Sequence, residues 1–170
     1  VDVWWGDERL LPSGHPERNQ TQATVALLAH VPLDPNRVHP MACSDGDYGD
    51  DLDAAAAAYA KELADAAPFD VLLLGVGPDG HVASLFPGAS PPDDAATVIA
   101  VRGAPKPPPT RLSLTLTAIN TAREIWLIAA GEEKAAAVQA ALSGALPAGQ
   151  VRGRDATKWL LDTAAASAIG

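Results

Sequence analysis

The chain has 170 residues, of which 48% are hydrophobic and only 5% aromatic, and it carries a formal net charge of −9. That length suits one domain, 1–170, able to bury roughly two thirds of the surface its unfolded form exposes. The acidic balance argues against nucleic acid as a partner, since binders of phosphate backbones present a basic face; an anionic ligand has to be met by local positive charge.

Val1 to Trp5 reads as a short buried strand, with no leader segment before it. Gly6 to Gly14 reads as a loop carrying Asp7, Glu8 and Arg9. Pro16 to His30 has a helical pattern with proline in its first turn, and Pro32 and Pro35 end it. Asn19-Gln20-Thr21 matches a glycosylation sequon, which without a secretory leader reads as coincidence. Val38 to Met41 is a further strand candidate. Cys43 is the one cysteine, so no internal disulfide or multi-cysteine zinc site is available, in keeping with a reducing, cytoplasmic setting. The acidic run before Ala54 to Ala67 suits a helix N-terminus. Calcium is rejected there, because the glycine and carboxylate places of an EF-hand loop counted from Asp45 hold Asp50 and Ala56.

Phe69 to Leu74 is an apolar run between Pro68 and Gly75, the pattern of a strand buried on both faces. Thr97 to Val101 follows as another strand, and APKPPPT (104–110) as an extended arm. RLSLTLT alternates, placing Leu112, Leu114 and Leu116 on a buried face. Glu124 to Ala130 gives a strand, Gly131 to Leu142 an alanine-rich helix, and Thr157 to Leu161 a last strand before a terminal helix. Strands separated by helices predict an α/β fold with an open, largely parallel, Rossmann-like sheet. No stretch has the length and apolarity of a membrane span.

Gly75, Gly77 and Gly80 form a G-x-G-x-x-G behind the 69–74 strand, which raises a dinucleotide site. Such a site needs a long helix after the third glycine and an acidic residue closing the next strand. Here only His81 to Phe86 has room to be helical before Pro87, and the next strand ends at Arg102, so an NADP-binding oxidoreductase domain is the alternative reading. The glycines also suit a tight turn that exposes N–H groups to an anion. His81, next to Asp79 and Gly80 at a strand end, is a candidate general base. Asp79 suits either orienting that ring or capping a helix. Ser84 lacks the G-x-S-x-G context of a serine hydrolase. His15, His30 and His39 lack metal-like spacing and read as loop or surface residues.

GVGPDGHVASLFPG (75–88) resembles the signature of the 6-phosphogluconolactonase family, G-x-G-x-D-G-H-T-A-S-L-F-P-G, with Val82 replacing threonine. WWGDER (4–9) is similar to the family's GDER block. ERNQTQA from Glu17 is similar to the stretch after it, with Arg18 standing where a serine is common. PKPPPTRLSLTLTAIN resembles its lysine-bearing arm, and GEEKAAAV its late G-x-x-K block. The related glucosamine-6-phosphate deaminases continue the G-x-G-x-D-G-H core differently, so the lactonase branch fits better. The resemblance implies hydrolysis of 6-phospho-D-glucono-1,5-lactone without metal or organic cofactor, on a small-molecule phosphosugar lactone, with no membrane partner and either a single chain or a homo-oligomer. It points to His81 as base with Asp79 beside it. It also points to Arg9 and Lys106 near the phosphate, Asn19 at substrate hydroxyls, Gly77 and Gly80 in the loop, and Arg102 and Arg111 as reserve phosphate ligands. Family members ordinarily carry a further N-terminal strand and phosphate loop before the point matching Val1. If that segment is missing, a noncatalytic sugar-phosphate-binding remnant is a further alternative.

Overall fold

A computed structural model describes residues 1–90 and 93–169. In chain order its strands and α-helices are β1 (Val3–Trp4), β2 (Asp7–Arg9), α1 (Asn19–Ala26), β3 (Val38–His39), α2 (Leu52–Ala64), β4 (Val71–Gly75), β5 (Val98–Val101), β6 (Arg111–Leu114), α3 (Leu116–Ile119), β7 (Glu124–Ala129), α4 (Ala135–Leu142) and β8 (Ala156–Leu161). The chain divides into two compact units, Val1–Asp65 with Val98–Ser113, and Ala66–Thr97 with Leu114–Gly170. The α/β class matches the sequence pattern, although backbone pairing runs in three short sheets rather than one.

In the first unit β1 pairs in parallel with β3, Trp4 opposite His39. The GDER segment, expected as a loop, is instead strand β2, antiparallel to β6 with Glu8 opposite Leu112 and Arg9 opposite Arg111. Three charged residues carry no strand signal of their own; the partner strand and the buried position of Glu8 decide the conformation. α1 is shorter than the 16–30 pattern, because the chain is still extended at Arg18 and the helix gives way at Leu27 to a single 3-10 turn, Leu28–His30. α2 begins where the Asp51 carboxylate accepts the Ala54 N–H at 3.0 Å, and Asp53 occupies its first turn. It buries Leu52, Ala55, Ala56 and Tyr59 at the spacing of one helix face and packs against β5. The Tyr59 hydroxyl accepts the Trp5 N–H at 2.9 Å, fastening α2 to the chain beyond β1, and burial pushes its phenol well above the ordinary range.

The second unit is built on the parallel sheet β4-β7-β8. Leu72 and Leu74 on β4 and Ile125, Leu127 and Ala129 on β7 are buried, as are Ala135, Ala137, Val138 and Ala141 on α4. Small side chains thus supply much of the helix packing, as the alanine content implies. β4 is not covered on both faces: Val71 is 45% and Leu73 58% exposed, with Ile128 and Leu160 also open. An apolar run identifies a strand without recording whether its second face has a partner layer. The alternating segment after Arg111 also departs from expectation, since all four residues of β6 are buried and the strand stops at Leu114. There the Thr115 hydroxyl oxygen accepts the Ala118 N–H and starts α3. The expected terminal helix is a series of turns over 163–168, begun by the Asp162 carboxylate accepting the Ala165 N–H at 2.7 Å. Among the described residues, no helix is long and apolar enough to cross a membrane.

Replacing Asp51 by Ala removes the α2 cap and should lower the unfolding free energy by about 1 kcal/mol in urea titration. An unchanged midpoint would show that this cap contributes nothing.

Candidate active site

The parallel strand β4 ends at Gly75, and the Val76 N–H still donates to the Ile128 carbonyl at 3.0 Å. The chain then closes a tight loop at the carboxyl end of that strand, the place where open α/β sheets carry their sites. The Gly77 N–H donates to the His81 carbonyl at 2.9 Å and the Gly80 N–H to the Gly77 carbonyl at 2.9 Å. Two glycines are required. Gly80 sits at φ +79° with Leu146 packed where a Cβ would go, and a Cβ at Gly77 would land on the His81 imidazole and the Asp79 carboxylate. Among the described residues beyond its chain neighbours, nothing lies within 4 Å of a Cβ at Gly75, so the first glycine of the G-x-G-x-x-G has no such steric demand.

The short helix expected from His81 to Phe86 does not form. Residues 82 to 85 make a turn closed by a Val82–Leu85 bridge, with Ala83 at φ 49°. The loop therefore opens no helix N-terminus for a pyrophosphate, and the dinucleotide reading loses its structural requirement.

What the loop does instead is bring Asp79 and His81 together. Asp79 Oδ1 and His81 Nδ1 share a short hydrogen bond, and the same oxygen accepts the His81 backbone N–H at 3.4 Å. Burial works to raise the Asp79 carboxyl, but the bonds from His81 and its charge outweigh it and hold the group below its usual 3.8. An ionised carboxylate only accepts, so this bond takes its proton from Nδ1, and in the neutral form of the ring that places the lone pair on Nε2. The ring also rests against Phe86, centroids 4.7 Å apart. The stability that this bond confers is present above the ordinary carboxylate value and is lost as pH falls through the depressed one.

The first unit gathers cations. Arg9 and Arg111 are direct neighbours across the β2-β6 ladder. Arg111 donates from Nε to the Pro108 carbonyl at 3.1 Å and from Nη2 to the Lys106 carbonyl at 2.8 Å, so it shapes the arm from which the exposed Lys106 projects. Burial, and then the Arg9 charge, lower the Arg111 guanidinium from its ordinary value, against the attraction of Asp7. Arg9 Nη1 donates to the Glu17 carbonyl, while its buried Nε has no hydrogen-bond partner among the described residues. Asn19, first residue of α1, donates from Nδ2 to the Asp7 carbonyl at 2.8 Å and to Asp7 Oδ1 at 3.1 Å. Arg102 forms an exposed two-point ion pair with Asp53. Two residues escaped sequence reasoning. Glu8 and Arg18, both buried, form an ion pair at 3.7 Å. The signal available was the strand hidden in GDER, whose middle residue has to point opposite to Asp7 and Arg9.

A family model described as glucosamine-6-phosphate isomerases/6-phosphogluconolactonase matches residues 1–159. A 6-phosphogluconolactonase of Streptomyces coelicolor is 62% identical over 183 residues, covering 99% of this chain and 70% of the relative. The protein of that name in Mycobacterium tuberculosis is 51% identical over 181 residues, covering 99% of this chain and 73% of its own length. The solved structure of 6-phosphogluconolactonase from Trypanosoma brucei aligns with a TM-score of 0.82 at 30% identity, over 97% of this chain and 73% of that one.

Gly77→Ala should break the Asp79–His81 bond by sheer volume. The expected result is a shift of the His81 imidazole nitrogen resonances with little change in circular dichroism, and unaltered resonances would show that the loop accommodates the methyl group.

Proposed function

Because this chain belongs to the glucosamine-6-phosphate isomerase/6-phosphogluconolactonase family, we propose that it is a hydrolase opening 6-phospho-D-glucono-1,5-lactone to 6-phospho-D-gluconate, a step of the pentose phosphate pathway, with His81 as general base. The observation that carries the residue assignment is the Asp79–His81 bond, which leaves Nε2 as a proton acceptor on a ring fixed by its own loop.

Nε2 takes a proton from water, and the water oxygen forms a bond to the lactone carbonyl carbon. The carbonyl electron pair moves onto oxygen. As it returns, the bond from that carbon to the ring oxygen breaks, and the imidazolium gives its proton to the departing oxygen, which becomes the sugar's hydroxyl. Asp79 keeps Nδ1 protonated throughout and stabilises the imidazolium without itself taking the proton. A lactone is an activated ester, so a single base and a positioned water suffice.

Arg9, Lys106 and Arg111 are assigned to the substrate's phosphate. Arg9 and Arg111 supply adjacent guanidinium groups suited to bidentate contact, and Lys106 supplies a point charge on the arm that Arg111 braces. This local positive charge is what an acidic protein of net charge −9 needs in order to hold an anion. Asn19 is assigned to substrate hydroxyls through its amide oxygen, since its nitrogen is spent on Asp7. Arg102 is a weaker candidate, because release from Asp53 would have to precede any ligand contact.

His81→Ala should keep the fold and cut kcat/KM for the lactone by roughly 10²- to 10⁴-fold, measured against the spontaneous opening rate at the same pH. An unchanged rate removes His81 from the reaction. Asp79→Asn should lose about 10²-fold or more in kcat, because an amide no longer fixes the Nδ1 proton. Thermal stabilisation of the wild type by 6-phosphogluconate without any turnover would favour a binding remnant over an enzyme.

A further inference from the structure

We propose that Arg18 is a positioning residue for the substrate-binding side chains Arg9 and Asn19, acting with Glu8 as a buried brace; this rests on the assignment of those two residues to substrate. Arg18 is fully buried. Its guanidinium reaches backbone carbonyls on two separate segments: Nη1 donates to Leu11 at 3.1 Å, Ala42 at 3.0 Å and, at longer range, Arg9 at 3.4 Å, and Nη2 donates to Met41 at 2.8 Å. Nη2 also lies 3.7 Å from Glu8 Oε2.

Glu8 extends the brace to the helix. Its Oε1 accepts the backbone N–H groups of Arg9 at 2.8 Å and Asn19 at 2.7 Å, and Oε2 accepts that of Gln20 at 2.9 Å. One carboxylate thus holds the backbone of both Arg9 and Asn19, and one guanidinium supplies its counter-charge while tying it to the 41–42 segment. The side chain of Asn19 closes the same knot through Asp7. Neither Glu8 nor Arg18 is exposed to a ligand, so their influence on the substrate passes through where Arg9 and Asn19 stand.

Lysine offers one point charge in place of a planar fork and cannot span those carbonyls. Arg18→Lys should therefore raise KM for the lactone, and the Kd for 6-phosphogluconate by calorimetry, about tenfold, with kcat within about twofold of wild type. Because a neutral residue at 18 alone strands the Glu8 carboxylate, the double variant Glu8→Gln with Arg18→Met is the second test, expected to fold and to show the same rise in KM and Kd. Folding is checked by circular dichroism at the assay temperature. Unchanged KM and Kd in folded variants, or failure of both variants to fold, makes Arg18 a stability residue alone and overturns the proposal. A wild type without turnover overturns the enzymatic reading instead, and the 6-phosphogluconate Kd then still decides the role of Arg18; a wild type that binds no 6-phosphogluconate overturns both.

Discussion

Two opposite charges removed from water organise the first unit. Glu8 and Arg18 are each almost wholly inaccessible, and such a pair is tolerated only when the remaining donors and acceptors are satisfied. Here most are satisfied: three N–H groups end on the carboxylate, and four carbonyls and the Gln20 amide oxygen accept from the guanidinium, whose Nε has no hydrogen-bond partner among the described residues. Removing one partner would cost on the order of 3–5 kcal/mol by stranding the other. The start of α1, the end of β2 and the 41–42 segment consequently share one electrostatic centre.

The Asp79–His81 pair is organised differently. In the second unit a parallel strand delivers a glycine-rich loop, and the loop folds onto itself so tightly that the aspartate two residues before the histidine becomes its hydrogen-bond acceptor. The placement of Arg9 and Asn19 is set by contacts between residues distant in sequence. The Asp79–His81 pair is set by contacts within five residues.

This difference decides what the sequence makes legible. The Asp79–His81 pair, the Gly77 and Gly80 requirements and the capped helix α2 are local, and their residue types announce them. The β2 strand was hidden because Asp, Glu and Arg have little strand preference, and only its distant partner β6 makes it one. The Glu8–Arg18 brace was invisible for the same reason: burial of a charge is a property of the assembled unit, never of a heptapeptide. At Thr115 the alternating pattern and the capping residue pointed to different structures, and the cap prevailed. The uncovered side of β4 shows the remaining blind spot, since Val71 and Leu73 have the same side chains whether or not a layer lies over them.

The nearness of Asp79 to His81 along the chain carries a mechanical benefit. In catalytic triads whose acid and imidazole come from separate elements, a small slip of one element against another breaks their alignment and frees the ring to swap its protonated nitrogen. Here both groups ride on a single turn clasped by the Gly77–His81 backbone bond. Donor and acceptor therefore sit two residues apart on one clasped segment, and their alignment needs no second element to be held in register.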